Sequence, residues 1–172
     1  MLRTLCAGIA GILAGCSTPT PMPPVAHVDL PRFMGDWYVI AHIPSRWERN
    51  AYDAVESYHL LPDGRIQTDF SYRDGSFDAK VETMHPVGTV QPDTNNAVWG
   101  MQFIWPIKAE YVIAYLDDNY QTTIVGRSKR DYVWIMARVP CLPDDVYARL
   151  VRKVGELGYT ESLRKVPQQC KR

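Results

Sequence analysis

FMGDWYVIAHIP, residues 33–44, places Gly35 two residues before an indole, Trp37, and follows with β-branched and aromatic residues up to Pro44. A run of this kind closed by proline is a strand. From Asp36 to Arg138 the chain repeats the pattern, short apolar or aromatic runs broken by PDG at 62–64, RDG at 73–75 and PDTNN at 92–96. Such turn signals predict strands near 36–44, 53–61, 65–72, 79–90, 97–104, 109–117, 120–127 and 131–138. Roughly 13 residues per strand and turn leave no room for crossover helices, so the sheet is expected to be antiparallel.

One long helix is legible, in LPDDVYARLVRKVGELGY at 142–159. Pro143 suits its first turn, Asp144 and Asp145 its positive end, and Val146, Leu150, Val154 and Leu157 form one apolar stripe ending before Gly158. Eight meandering strands and one helix are best satisfied by a closed up-and-down barrel with the helix packed outside, because closure removes exposed edges. The fold class is therefore all-β, an eight-stranded antiparallel barrel whose interior suits one small ligand.

The last strand, RDYVWIMARVP at 130–140, ends in Arg138, about a hundred residues after Gly35 and Trp37. Taken together, the Gly-x-Trp start and this ending resemble the lipocalins, and EYVIAYLDDNY at 110–120 is similar to the family's middle motif, departing from its usual Thr-Asp-Tyr order. The resemblance covers about Leu30 to Lys165. An indole closing one barrel end gives a flat face on which a guanidinium can stack, worth about 0.5 to 2 kcal/mol. Trp37 and Arg138 are thus expected to bear the fold, not the ligand.

Strand parity offers two faces, with apolar residues on both in places, and periodicity alone does not say which is inside. The resemblance, in which the last-strand tryptophan faces inward, implies a lining of Tyr58, Phe70, Trp99, Met101, Phe103, Tyr111, Ile113, Trp134 and Met136. Ala54 and Glu56 would then also face in, Glu56 near the mouth or toward solvent, since burying an unpaired carboxylate is costly. Such a wall suits a long acyl chain; the alternative is that the same aromatics fill the barrel as core.

At the N-terminus, Arg3 precedes an uncharged stretch from Leu5 to Gly15, and Leu13, Ala14, Gly15 and Cys16 resemble the bacterial lipobox. That resemblance implies a signal peptide at 1–15, lipidation of Cys16, including a palmitate-like acyl chain, and outer-membrane sorting through Ser17. Pro19, Pro21, Pro23 and Pro24 predict an extended spacer over 16–29, its eleven residues Ser17 to His27 reaching about 30 to 35 Å. The barrel domain is expected over 30–172. With Cys6 removed and Cys16 lipidated, Cys141 and Cys170 are left as the available disulfide pair in an oxidising compartment. Apolipoprotein D-like chains pair their tail cysteine with another strand, where this sequence has Asp53, so two free thiols remain an alternative.

Removing fifteen of 172 residues leaves 157, enough for one core without a metal. Lys plus Arg and Asp plus Glu both number 19, which gives no nucleic-acid surface. His27, His42, His59 and His85 are scattered with no metal-ligand spacing, no Gly-x-Ser-x-Gly elbow occurs, and Asp117 with Asp118 suits a turn. No catalytic residue, metal or cofactor is expected. The function expected is a non-enzymatic carrier of fatty acids, lysophospholipids or similar molecules, lipid-anchored at the periplasmic face of the outer membrane, with a homodimer left open. An enzyme acting on a small apolar substrate and a non-binding envelope scaffold are the alternatives.

Overall fold

The computed structural model describes residues 20–46 and 48–170. Cys16 and the expected signal peptide lie outside the described residues. A short helix, α1 (Leu30–Phe33), leads into strands β1 (Gly35–Ile43), β2 (Ala51–Leu60), β3 (Ile66–Asp74), β4 (Val81–Met84), β5 (Val87–Val90), β6 (Val98–Ile104), β7 (Ile107–Leu116), β8 (Thr122–Gly126) and β9 (Val133–Ala137). Helix α2 (Asp144–Glu156) and a two-residue strand β10 (Arg164–Lys165) complete the chain. All pairings are antiparallel, and β9 pairs with β1 through Met136 and Val39, which closes the barrel.

The strand expected over 79–90 is two, β4 and β5, both paired with β3. The break falls at His85 and Pro86. Proline has no N–H to give the ladder, and its carbonyl instead accepts from the Thr68 amide at 3.0 Å. The two pieces occupy one strand position, so the wall has eight.

Apolar residues separate into two clusters according to which side of the wall they face. Trp37, Tyr58, Ile66, Phe70, Trp99 and Met136 belong to the interior cluster. Ile40, Val112, Ile124, Ile135, Leu150 and Val154 join the outer wall to α2. The helix stripe is thus buried at Leu150 and Val154, with Val146 and Leu157 at its margins.

Helix α1 plugs one end. Asp29 caps it by accepting from the Arg32 amide at 3.2 Å, and Pro31 sits in its first turn, where an N–H has no partner anyway. Trp37 donates its indole N–H to the Phe33 carbonyl at 2.8 Å. Gly35 has φ +89°, a left-handed conformation that side chains oppose.

The stretch read as a free spacer is not free from Met22 onward. Met22 and Val28 are buried, the Val25 amide bonds the Ile113 carbonyl, and the Val28 amide bonds the Asn95 carbonyl. Proline-rich composition concealed these two apolar anchors. The tail is tied down likewise: Cys141 and Cys170 form a disulfide with Cα atoms 5.8 Å apart, and Asp53 accepts from the Gln169 amide and side chain at 2.9 and 2.8 Å.

Candidate ligand-binding site

The meander fixes two ends. Loops 61–65, 91–97 and 117–121 gather at the end closed by α1, whereas loops 44–50, 75–80, 105–106 and 127–132 rim the other. Asp117 organises one closed-end turn by accepting from the amides of Asn119, Gln121 and Thr122, the turn role its sequence suggests.

Eight of the nine side chains expected to line the cavity face the interior. Tyr58, Phe70, Trp99, Met101, Tyr111, Ile113 and Met136 are buried, and Trp134 is half-buried toward the rim. Phe103 is the exception. It is 55 % exposed, because β6 shifts register against β7 between Met101 and Ile104 and leaves the wall before Phe103 can turn inward.

The buried rings touch one another. Phe33 lies 4.9 Å from Trp37 and 5.5 Å from Trp99 between ring centres, Trp99 stacks on Tyr111 at 5.1 Å, and Tyr111 stacks toward Trp134 at 6.5 Å. Trp37, Tyr58 and Trp99 have no accessible surface, which leaves no room for a water beside them. The closed half is therefore packed core, whereas toward the rim Trp134, Tyr72 and Met84 are only partly buried. Recesses of about 340 and 530 Å³ flank the Cys141–Cys170 disulfide on the outer wall, away from these residues.

Polar groups occur at the boundary. Glu56 is buried, contrary to its expected place at the mouth or in solvent, and resolves the cost of burial by remaining protonated. Desolvation first, and then the charge of Glu48, push its carboxyl up to about 8. Tyr58 donates to Glu56 and its oxygen lies 2.5 Å from that of Tyr111. Burial and Glu56 likewise raise the Tyr111 phenol.

Nearer the rim, Glu48 behaves oppositely. Burial opposes its ionisation, but contacts from His42, Ser45 and Trp134 hold its carboxyl below the usual range. The Trp134 indole donates to it at 2.8 Å and the Ser45 hydroxyl at 2.6 Å. His42 Nδ1 stands 3.5 Å away, long for a hydrogen bond, and neither ring nitrogen of His42 has a hydrogen-bond partner among the described residues. The buried Thr68 hydroxyl is also unpartnered. Buried polar atoms are rarely left so, and His42 Nε2, on the strand position paired with the half-buried Trp134, suits a guest's polar atom or ordered water.

His42 and Glu48 escaped the sequence reading. Counting by twos from Trp37 puts His42 on the outer face, but a register shift between Val39 and Ala41 reverses the alternation and pairs His42 with Trp134. No local signal marks that shift. His59 and His85 instead meet Asp69 at the exposed surface, and no cluster suited to a metal ion occurs among the described residues.

Residues 28–168 match the family model for a lipocalin-like domain. The chain is 31 % identical to temperature-induced lipocalin-1 of Arabidopsis thaliana, over 86 % of this chain and 83 % of that protein. It is 27 % identical to the outer membrane lipoprotein Blc of Escherichia coli K12, over 91 % and 89 %. Among solved structures, insecticyanin from the tobacco hornworm Manduca sexta superposes with TM-score 0.64 at 16 % identity, covering 84 % of this chain and 83 % of that one, a likeness of fold.

Proposed function

The chain belongs to the lipocalin family, whose members bind small hydrophobic ligands, and on that premise we propose that it is a lipid-anchored envelope carrier for a single-chain amphiphile, a fatty acid or lysophospholipid. The observation that carries the reading is the inner surface between Tyr111 and the rim: apolar side chains of Phe70, Tyr72, Met84 and Trp134 beside the buried His42 Nε2, which has no hydrogen-bond partner among the described residues. Apolar area there favours a tail at roughly 25 cal/mol per Å² buried. Methionine at the wall can change shape around it.

Electrostatics orient the guest. The desolvation that keeps Glu56 protonated disfavours an anionic head at that depth. The tail therefore enters first and the head stays at the rim. Tyr58, Trp99, Tyr111, Ile113, Met101 and Met136 form the floor that limits tail length. The Leu13 to Cys16 lipobox and the likeness to the Blc lipoproteins support lipidation of Cys16 and an outer-membrane address facing the periplasm.

Native mass spectrometry of the protein released from membranes tests the reading, with a co-purified acyl lipid at one per chain as the expected result. The packed closed half favours one rival, a scaffold that binds nothing. Homogeneous lipid-free protein, refractory to reloading, would establish that rival instead.

A further inference from the structure

We infer that the open rim docks on an anionic bilayer surface with Trp105 seated in the lipid interface. The inference rests on the lipid-anchor reading for its orientation. The β6–β7 hairpin carries the most exposed large apolar side chains of the described residues: Trp105 is 83 % exposed, Ile104 71 % and Ile107 69 %. Phe103 adjoins them, and Phe77 of the 75–80 loop is exposed on the same rim. An exposed apolar cluster at a loop tip marks an interaction site, and an amphipathic indole favours the membrane–water boundary.

Charge selects the kind of surface. The four open-end loops hold six basic residues, Arg46, Arg49, Lys80, Arg127, Lys129 and Arg130, against three acidic ones, of which Glu48 is buried. The three closed-end loops reverse this, with Arg65 against Asp63, Asp93, Asp117 and Asp118. The barrel is thus polarised along its axis. A basic rim is drawn to anionic lipid headgroups, whereas a second copy docked rim to rim would set like charges together.

The path of the N-terminal segment supplies the third argument. It runs up the wall from Val28 beside Asn95 at the closed end to Met22, whose amide donates to the Ser128 hydroxyl at 3.0 Å, and to Thr20, whose carbonyl accepts from Arg130. Ser128 and Arg130 lie in the 127–132 loop, so the chain departs at the open rim. Thr20 is only four positions along the chain from Cys16, a reach of at most about 14 Å. A lipid on Cys16 therefore keeps the mouth against the bilayer, in place of the long stand-off that a free spacer would give. An amphiphile can then pass between bilayer and barrel without crossing bulk water.

The test uses the mature, lipidated full chain in vesicles of phosphatidylethanolamine and phosphatidylglycerol with brominated acyl chains. Bromine should quench wild-type tryptophan fluorescence, and Trp105→Phe, which keeps the rim apolar, should lose most of that quenching while still floating with the vesicles. Co-flotation with equal quenching in both proteins would overturn docking and leave the anchor standing. Failure of both to float would remove the anchor, and docking with it. A detergent-solubilised dimer that Trp105→Ser splits, with Trp105 unquenched in vesicles, would assign the hairpin to a second copy and overturn the proposal.

Discussion

The Arg138 guanidinium lies 3.9 Å above the ring of Trp37, holding the last strand to the first at the closed end of the barrel. It also donates to the carbonyls of Arg32, Phe33, Met34 and Asp36 at 2.7 to 3.0 Å, so one side chain fixes both α1 and the start of β1. Arg138→Ala strands these acceptors and bares the indole. Thermal or urea unfolding should show a loss on the order of 3 kcal/mol, and Arg138→Lys should recover little of it, because an ammonium cannot reproduce the planar fork. Trp37→Ala should cost about 3 to 5 kcal/mol. Unchanged melting with abolished ligand binding would instead make these two residues part of the binding site.

Glu56 gives stability a pH dependence of defined sign. Its carboxyl is raised to about 8 when folded against an ordinary 4.5. The folded state therefore holds a proton that the unfolded state releases, and the contribution is complete below pH 4.5 and lost as pH climbs through 8. Glu48, whose carboxyl is lowered, acts below that window. Glu56→Gln keeps an acceptor for Tyr58 without the titration. Its stability advantage over wild type should grow from pH 5 to pH 8, to a few kcal/mol, and then level off. A difference that is flat across that range would mean Glu56 is ionised or solvated.

The disulfide closes a separation of 29 residues around α2. The chain-entropy relation assigns it about 3 to 4 kcal/mol. Replacing Cys141 and Cys170 with serine should lower unfolding free energy by up to that amount while β10 stays paired, since Asp53 and Gln168 still hold the tail. Equal stability of oxidised and serine forms would show that those hydrogen bonds alone secure the tail.

Much of this architecture was legible because barrels obey two short-range rules, alternation along strands and turn chemistry between them. Ala54, Glu56 and Tyr58 on β2 and Tyr111 and Ile113 on β7 face inward as parity requires. Parity failed where the wall departs from regularity. The shift after Val39 turned His42 inward, and the shift after Met101 put Phe103 in solvent. Glu56 was placed on the correct face but not at the correct depth, since depth depends on strand tilt and closure. Met22 and Val28 were hidden because a proline-rich stretch says nothing about the wall it lies against.

The barrel's capacity for a lipid tail is tested most directly by titrating the soluble Cys16→Ala chain with saturated fatty acids and lysophospholipids of increasing length while following tryptophan fluorescence. The expected result is saturable quenching whose affinity rises with each methylene, by up to about 0.8 kcal/mol, until the tail meets the Trp99 and Tyr111 floor and the gain stops. Trp134→Phe should remove most of the signal and leave the barrel folded, since Trp134 is the half-buried indole toward the rim, whereas Trp37 and Trp99 are sealed beneath it. Flat, non-saturating responses at every length, with Trp134→Phe indistinguishable from wild type, would mean that the aromatic packing fills the whole barrel and that the chain carries no lipid there.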